Sequence, residues 1–346
     1  MIRLGFLGTG WIGRKRLEAI LAGGEATVAA VHDPDPAAAR EAHKIAPMAL
    51  EADSLEAMLA LQPDGLVIAT PSAMHADQCV RALDSGVAIF CQKPLGRNAS
   101  EVAAVIAAAK AADRLLGVDL SYRHIAGMAE IRSCIRRGGL GQVFAADLTF
   151  HNAYGPGAGW FWNPRLSGGG CLIDLGVHLV DLALWMFDFP EVTGVKATLL
   201  RNGRPKAEGE VEDYAIGQFQ LEGDITVRIS CSWNLNAGRD ALIEATFYGT
   251  QGGARMRNEN GSFFDFSADL LCGRSAERIA SPPDDWGGRA AVEWVKKLAQ
   301  GEKFAGSTTG LMQTAETLDR LYASSLHHQP FTRSHVSMMT AAPSVT

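Results

Sequence analysis

The sequence predicts a doubly wound α/β domain followed by an α+β domain with a mainly antiparallel sheet. The chain has 346 residues, which is more than one ordinary domain needs. Strand-like and helix-like segments alternate as far as Tyr122, and strand-like runs dominate after that residue. Alternating strands and helices are typical of a parallel sheet, whereas consecutive strands are typical of an antiparallel one.

Four apolar runs predict the strands of the first domain, residues 1–122. They are continuous and rich in valine, alanine and leucine, as strands buried on both faces are. Helix-like stretches separate them, so we expect helices to cover both faces of the sheet. The strands are predicted at residues 3–7, 26–32, 66–70 and 87–91, and the helices at 13–22, 54–61, 75–85 and 100–112.

Alternating polar and apolar residues predict the sheet of the second domain, residues 123–330. The segment from Asp224 to Trp233 alternates in this way, which is typical of a strand with one face buried and one exposed. The strands are predicted at 143–151, 194–200, 214–221, 225–233, 242–248 and 262–267, the helices at 126–137, 171–187, 289–300 and 309–327, and a loosely held tail at 331–346.

The composition excludes several classes of protein. The net charge is −6 and no block of like charges occurs, so we expect neither nucleic acid nor a membrane surface as a partner. The N-terminus lacks a signal-peptide pattern, and apolar stretches such as 102–109 are far shorter than the ~20 residues of a membrane span. The six cysteines are scattered and the histidines show no metal spacing. We therefore expect a soluble cytoplasmic protein without a metal site.

A glycine-rich motif follows the first predicted strand and opens the first predicted helix. This motif is the only G-x-G-x-x-G of the chain, and its residues are Gly8, Thr9, Gly10, Trp11, Ile12 and Gly13. Such a turn lets the backbone approach a pyrophosphate closely, while free N–H groups at the helix N-terminus face the negative charge. The motif in this context predicts a dinucleotide site.

Asp33 supplies a second element of that site. It ends the second predicted strand, where an acidic side chain hydrogen-bonds the 2′-hydroxyl of a ribose. The same carboxylate would repel a 2′-phosphate, so NAD is predicted and NADP is disfavoured. The alternative is that Asp33 only begins a surface turn, because the residues from Asp33 to Pro36 are turn formers.

Three further segments match a known family. They are Ala69-Thr70-Pro71 followed by His75, then Gln92-Lys93-Pro94, and finally the stretch from Gly168 to His178. Together with the glycine motif they resemble the Gfo/Idh/MocA oxidoreductases, in the same order and spacing, over nearly the whole chain. The resemblance implies a Rossmann domain, an open and mainly antiparallel sheet with helices on one face, and an active site between them. It also implies a homodimer or homotetramer formed through that sheet.

The resemblance assigns catalytic roles to Lys93, Asp174 and His178. Lys93 matches the lysine of the family's E-K-P motif, and the other two match its D-x-x-x-H pair. Gln92 stands where the family has glutamate, which removes a negative charge beside Lys93 and leaves the protonation state of the lysine open. The predicted cofactor-binding residues are Gly8, Thr9, Gly10, Trp11, Ile12, Asp33, Ala69, Thr70, Pro71, His75, Lys93, Pro94 and Arg123.

These residue types suit the oxidation of a secondary alcohol. The reaction needs a base for the hydroxyl proton, and a histidine with an ordinary pKa of about 6.5 is suited to that role, so His178 is the predicted acid/base. Lys93 would stabilise the developing alkoxide, and Asp174 would hold a substrate hydroxyl or the imidazole. Asp181 lies on the same helix face as His178, where it is either an orienting group or a buried structural carboxylate.

The substrate-side residues are predicted from their positions at strand ends and in a long loop. The loop is rich in glycine and carries Tyr154, Trp160 and Phe161, whose rings either stack on a sugar or pack within the protein. The predicted substrate residues are His151, Asn152, Trp162, Arg165 and Trp233.

The predicted function is that of an NAD(P)-dependent oxidoreductase. It would transfer a hydride between the nicotinamide and a secondary alcohol or carbonyl of a sugar, cyclitol or related polyol. Two alternatives are a glycoside hydrolase that uses bound NAD transiently and a non-catalytic dinucleotide-binding sensor. Lys93 and His178 favour an enzyme over a sensor, and the sequence places no pair of carboxylates of the usual glycosidase kind on one site.

Overall fold

A six-stranded parallel sheet organises the N-terminal domain of the computed structural model, which describes residues 1–304 and 308–326. The predicted helix end at His327 and the predicted tail at 331–346 lie outside the described residues. The strands are β1 (Ile2–Leu7), β2 (Ala26–His32), β3 (Leu50–Glu51), β4 (Gly65–Ile68), β5 (Ala88–Cys91) and β6 (Leu116–Val118). Their order across the sheet is β3-β2-β1-β4-β5-β6, so the topological switch point lies between β1 and β4. Ligands of doubly wound sheets bind at that point.

Five helices connect these strands and cover both faces of the sheet. The side chains of Asp35, Ser54 and Asn98 each accept a backbone N–H and so begin the second, third and fifth helix. The helices are α1 (Trp11–Ala22), α2 (Pro36–Ile45), α3 (Leu55–Ala60), α4 (Ser72–Asp84) and α5 (Ala99–Ala112). The predicted α/β domain is confirmed.

A nine-stranded sheet forms the second domain. The strands are β7 (Val143–Asn152), β8 (Val192–Arg201), β9 (Arg204–Pro205), β10 (Tyr214–Leu221), β11 (Ile225–Ser232), β12 (Ala241–Gly249), β13 (Gly253–Asn258), β14 (Phe266–Cys272) and β15 (Ser275–Ala280). Their order is β15-β14-β13-β12-β7-β11-β10-β8-β9, and every pair is antiparallel except β7 with β11. The mainly antiparallel sheet is therefore confirmed.

One face of this sheet packs against helices and the other is open. Along β7, Ala146, Leu148 and Phe150 are buried in the helix-covered core, so the alternate residues Asp147 and Thr149 point to the open face. The helices are α6 (Ala126–Arg136), α7 (Pro164–Ser167), α8 (Val177–Met186) and α10 (Thr309–Leu326), and a π-helical turn (Leu172–Gly176) leads directly into α8.

The predicted domain boundary needs one correction, because the helix α9 (Arg289–Ala299) returns to the first domain. The ring of Trp294 lies 5.7 Å from that of Phe90, within the core formed with β1 and β2. Gly65 and Gly117 make room for this ring, since a Cβ at either position would lie 2.6 Å from it. The chain thus crosses back after β15 and closes the first sheet.

The predicted strand at 262–267 is wrong in position. The strand β14 begins at Phe266, and the residues before it form a turn whose N–H groups at Phe264 and Asp265 donate to the Ser262 hydroxyl. Five strands, β3, β6, β9, β13 and β15, and the helices α2 and α7 were not predicted. Edge strands such as β15 are exposed along most of their length, so they lack the alternation that reveals a half-buried strand.

The segment Pro164–Met186 is long and apolar enough to span a membrane by length and composition alone. Within its most apolar window 89% of the residues are buried inside the protein. This segment contains the π-helical turn and α8, and it forms the central helical layer on the nine-stranded sheet.

Candidate active site

The glycine motif forms a tight turn between β1 and α1. Gly8 has a φ of +84°, and a Cβ there would lie 2.5 Å from the backbone of Ala69 on the neighbouring strand. Gly13 is equally constrained, because its Cβ would lie 2.2 Å from the carbonyl oxygen of Gly8. A Cβ at Gly10, by contrast, would meet nothing within 4 Å, so open space remains at the start of α1. These features fit a dinucleotide whose pyrophosphate lies against the helix N-terminus.

Asp33 braces this turn from the end of β2. Its carboxylate accepts the N–H of Thr9 at 2.6 Å and the N–H of Asp35 at 2.9 Å. Asp35 then caps α2, with Pro36 at its first position, so this segment does begin a turn, and the ribose contact of Asp33 stays a prediction. The two interpretations are compatible, because a carboxylate has several lone pairs and Asp33 still faces the dinucleotide loop.

A cleft of about 790 Å³ lies between the two domains and is lined by half of the predicted site residues. From the first domain it receives the glycine turn and the ends of β4 and β5, and from the second the π-helical turn and several aromatic side chains. The predicted residues that line it are Trp11, Ile12, Ala69, Thr70, His75, Lys93, Pro94, Asn152, Asp174 and His178. The further lining residues used below are Arg16, Gln92, Asp119, Ser121, Tyr122, Tyr154, Phe263, Phe264 and Trp286.

Lys93 joins the two domains at the base of the cleft. Its Nζ donates to the Oδ1 and to the backbone oxygen of Asp174, both at 2.7 Å. The other carboxylate oxygen of Asp174 accepts the indole N–H of Trp233 at 3.1 Å. Trp233 does not line the cleft, and its hydrogen bond fixes the position of the Asp174 carboxylate. The ion pair is about four-fifths buried, which strengthens it relative to a surface pair.

The π-helical turn that carries Asp174 is anchored at its start by Glu212. This buried carboxylate accepts the N–H groups of Gly170 and Leu172 at 2.9 and 3.1 Å and the hydroxyl of Tyr322 at 2.6 Å. A Cβ at Gly170 would lie 1.9 Å from the Glu212 carbonyl oxygen, so glycine is required there. Glu212 thus fixes the turn from which Asp174 and His178 project.

His178 lies on the first turn of α8, beside Lys93 and 8% exposed. Burial, followed by the positive charges of Lys93 and Arg16, lowers its pKa well below 6.5. Its Nδ1 has no hydrogen-bond partner among the residues that the structure describes. The imidazole is therefore neutral at physiological pH and able to accept a proton.

Tyr122 packs directly on His178, with ring centroids 4.7 Å apart. Burial and the charge of Asp174 raise the pKa of Tyr122, so its hydroxyl stays protonated. The sequence placed Tyr122 only at the domain junction. The ring of Tyr122 also packs against those of Phe150, Phe266 and Trp286. This cluster could not be inferred from spacing, because its residues lie far apart in the sequence.

A buried cluster of polar side chains lies next to Lys93 and explains the glutamine at position 92. The carboxylate of Asp119 accepts the Nε of Arg16 at 2.5 Å and also the amide of Gln92 and the hydroxyl of Ser121. Arg16 donates to Ser121 as well, at 3.2 Å. The negative charge that residue 92 lacks is therefore supplied by Asp119, from the end of the neighbouring strand.

Replacing Gln92 by glutamate is expected to destabilise the protein by about 2 kcal/mol at neutral pH. Two carboxylates would then share the partners of one, so the pKa of the introduced carboxyl group would lie above its unfolded value in the folded state. Stability from such a group is present at low pH and lost as pH rises through the folded pKa, so the deficit in Tm should grow between about pH 4 and 8. Thermal unfolding at several pH values measures it.

The double variant Gln92→Glu with Asp119→Asn is the matched control for this prediction. It moves the negative charge from position 119 to position 92, so that the cluster still contains one carboxylate beside Arg16. Its Tm should return close to that of the unmodified protein. A Gln92→Glu single variant that is as stable as the parent at every pH would contradict the account of the cluster.

His75 ties together the two loops that follow β4 and β5. Its ring nitrogens lie 2.7 Å from the carbonyl oxygens of Pro94 and Thr70, and burial lowers its pKa. Pro71 begins α4 and does not line the cleft. The cofactor-side residues 69–71 and 93–94 thus form one rigid edge next to the glycine turn.

Several predicted site residues do not line the cleft. Arg123 is not a cleft residue, because its guanidinium makes a bidentate ion pair with Asp181. This pair also corrects the orienting role considered for Asp181, whose carboxylate is turned toward Arg123 rather than His178. Arg165 is exposed and does not line the cleft. Trp162 does not line it either, and its ring packs against that of Trp233.

His151 points to the open face of the sheet, away from the cleft. It stacks on Tyr214 and its Nδ1 lies 2.8 Å from the hydroxyl of Ser232. Burial lowers its pKa to about 4. Its neighbour Asn152 does line the cleft, since successive residues of a strand point to opposite faces. The structure therefore does not bring His151 to the cleft with Asn152.

No group of three or more histidine, cysteine or acidic side chains able to hold a metal occurs within residues 1–304 and 308–326. The polar side chains at the base of the cleft are instead paired with one another, as Lys93 with Asp174 and Arg16 with Asp119. This arrangement suits proton and charge chemistry on an organic substrate.

Comparison with known proteins identifies the family. A model described as an oxidoreductase family with an NAD-binding Rossmann fold matches residues 2–120, and one described as the GFO/IDH/MocA C-terminal domain matches residues 128–255. The chain belongs to the Gfo/Idh/MocA oxidoreductase family. It is thus a member of a family of NAD-binding enzymes, and the prediction made from the motifs is confirmed.

Several known proteins are similar to this chain. D-glucoside 3-dehydrogenase of Escherichia coli K12 is 26% identical over 58% of this chain and 60% of its own length. Inositol 2-dehydrogenase of Acidothermus cellulolyticus is 26% identical over 87% of this chain and 85% of its own. The structure of levoglucosan dehydrogenase with NADH and levoglucosan superposes with a TM-score of 0.81 at 20% identity, covering 94% and 97% of the two chains, and this supports the fold.

Proposed function

We propose that the protein oxidises a secondary alcohol of a sugar, cyclitol or related polyol, or reduces the corresponding ketone. The observation that carries this proposal is the contact of Lys93 with Asp174 beside a buried, neutral His178, in a cleft that also receives the glycine turn. When bound, NAD supplies the hydride acceptor. The names of the relatives, which include dehydrogenases of glucosides and inositol, point to the same class of substrate.

The three side chains have complementary roles in this proposal. His178 accepts the proton of the substrate hydroxyl, which it is able to do because its lowered pKa keeps it neutral. Lys93 donates a hydrogen bond to the same oxygen and stabilises negative charge on it. Asp174, itself held by Trp233, fixes the position of the ammonium group. Burial of all three strengthens these interactions.

Absorbance of reduced nicotinamide tests the proposed function. The purified protein is incubated with NAD, and separately with NADP, against a panel of cyclitols, aldoses and methyl glycosides. Accumulation of NADH with at least one of them is the expected result. Release of free sugar from a glycoside without net NADH would instead indicate the hydrolase, and NAD binding without turnover of any compound would indicate the sensor.

We also propose that the protein is a homodimer or homotetramer assembled through the open face of the nine-stranded sheet. That face presents exposed Ile216 and Tyr248 next to the ion pair of Arg228 with Asp147. Light scattering should give a mass of two or four chains, and Tyr248→Glu should shift the mass toward one chain. Met48→Glu, at an exposed position of the first domain, is the control. A parent protein that scatters as one chain at high concentration rejects this assembly.

We propose that the protein works in the reducing environment of the cytoplasm. All six cysteines are free, and two of them, Cys171 and Cys231, are buried side by side and donate to each other's carbonyl oxygens at 3.4 Å. Unpaired thiols of this kind suit a compartment in which disulfides do not form. Fractionation of cells that express the protein tests its location.

A further inference from the structure

A row of aromatic rings crosses the mouth of the cleft from one domain to the other. The ring of Trp11 lies 6.4 Å from that of Phe264, and the ring of Tyr154 lies 6.1 Å from that of Phe263. These two pairs of rings line the same cleft, and the four residues are here called the aromatic mouth. Trp11, Tyr154 and Phe264 are 57%, 54% and 55% exposed, although large apolar side chains are normally buried.

The aromatic mouth is separated from the reacting groups by two layers of buried rings. Tyr122 lies 4.7 Å from His178, and Trp286 lies 5.0 Å from Tyr122 on a further layer. The indole N–H of Trp286 then donates to the backbone oxygen of Phe264 at 2.9 Å. A chain of contacts thus runs from His178 through Tyr122 and Trp286 to Phe264, which indicates that the exposed rings would contact a part of the ligand other than the group at His178.

The charges of the cleft are confined to its base. The charged side chains that line it are Arg16, Lys93, Asp119 and Asp174, and each of them is paired with another of the four. The aromatic mouth contains no charged side chain. A neutral, flat and apolar group is the chemistry that such rings bind, through offset stacking and edge-to-face contacts.

We propose that the substrate is a glycoside with an aromatic aglycone, whose sugar ring reaches Lys93 and His178 while the aglycone stacks on the aromatic mouth. This inference rests on the proposed function and narrows its substrate class. Tyr154, Phe263 and Phe264, which would contact the aglycone, line the same cleft as Lys93 and His178, so one ligand could contact both groups.

Turnover of phenyl and methyl glucosides, in both anomers, tests the inference. With NAD in excess, kcat/KM for the better phenyl glucoside is expected to exceed that of the matching methyl glucoside about tenfold or more. Phe264→Ala and Tyr154→Ala should each lower this ratio about five- to tenfold. Phe144→Ala, which removes an exposed aromatic ring outside the cleft, is the matched control and should leave the ratio unchanged.

Calorimetry on the complex with NADH separates this inference from the proposed function. NADH prevents oxidation, so binding of phenyl glucoside is measured without turnover. Tight binding of the phenyl compound without oxidation of any sugar would keep the aglycone site and reject the dehydrogenase. Oxidation of phenyl and methyl glucosides with equal kcat/KM would reject the aglycone site. Uniform loss of activity in Phe264→Ala for both compounds, with a raised KM for NAD, would assign the rings to the cofactor and also overturn the inference.

Discussion

Lys93→Met lowers kcat/KM for the alcohol substrate about 100- to 1,000-fold, which is the usual cost of removing one hydrogen-bond donor that stabilises developing negative charge. The variant keeps the length of the side chain but removes the ammonium that contacts Asp174 from across the cleft. Because the ammonium of Lys93 contacts Asp174 of the second domain, whereas the pyrophosphate would lie at the glycine turn, the Kd for NAD should change much less than kcat/KM. Steady-state kinetics and a titration with NAD measure the two quantities.

Lys44→Met is the matched control for this variant. Lys44 also pairs with a carboxylate, that of Glu41 at 2.6 Å, but it does so on the exposed surface of α2. Surface pairs contribute about 0–1 kcal/mol, so the control should retain its activity and stability. If Lys93→Met retained activity within about tenfold of the parent, Lys93 would have no role in stabilising the transition state.

His178→Gln lowers kcat/KM about 100- to 10,000-fold, as the removal of a general base does. The pH dependence adds a sharper result. Protonation of His178 abolishes its ability to accept the substrate proton, so activity falls as pH falls through its pKa. Since that pKa is well below 6.5, the acidic limb of the kcat/KM profile should lie below pH 6.5 in the parent and be absent in the variant.

His151→Gln controls for the loss of a buried histidine. The pKa of His151 is also lowered by burial, to about 4, but its ring faces the open side of the sheet. Its variant should keep both the rate and the acidic limb. An acidic limb that persists unchanged in His178→Gln would transfer the base role to another group.

The fold was predictable where burial of an element produces a recognisable pattern of apolar residues in the sequence. The continuous apolar runs of β1, β2, β4 and β5 are buried on both faces, so nothing in them alternates. The edge strands β3 and β15 were missed because solvent contacts most of their residues, and the return of α9 to the first domain was missed because its apolar stripe fits either core. A helix pattern reports that one face is buried, not which element buries it.

The site was predictable where one local motif carries it. Lys93, Asp174 and His178 were predicted because each belongs to a short run with fixed spacing, and the structure places all three in one cleft. His151 was placed on the wrong face, since a strand end gives no sign of which residue points inward. The partner of Gln92 was missed because Asp119 lies on a different strand, although an unexpected glutamine is itself a signal to look for a displaced carboxylate.

The π-helical turn between Gly170 and α8 contains one residue more than the same stretch of α-helix would. A π-turn is wider than an α-turn, so the Asp174 carbonyl is turned out to meet Lys93 while α8 keeps its register against the sheet. Deleting one residue from Leu172–Gly176 would convert the π-helical turn into a regular α-helix. It would also rotate every preceding residue by about 100° about the helix axis and carry the carboxylate away from its lysine. A change in the length of this turn would therefore break the contact between Asp174 and Lys93 even if Asp174 itself were kept.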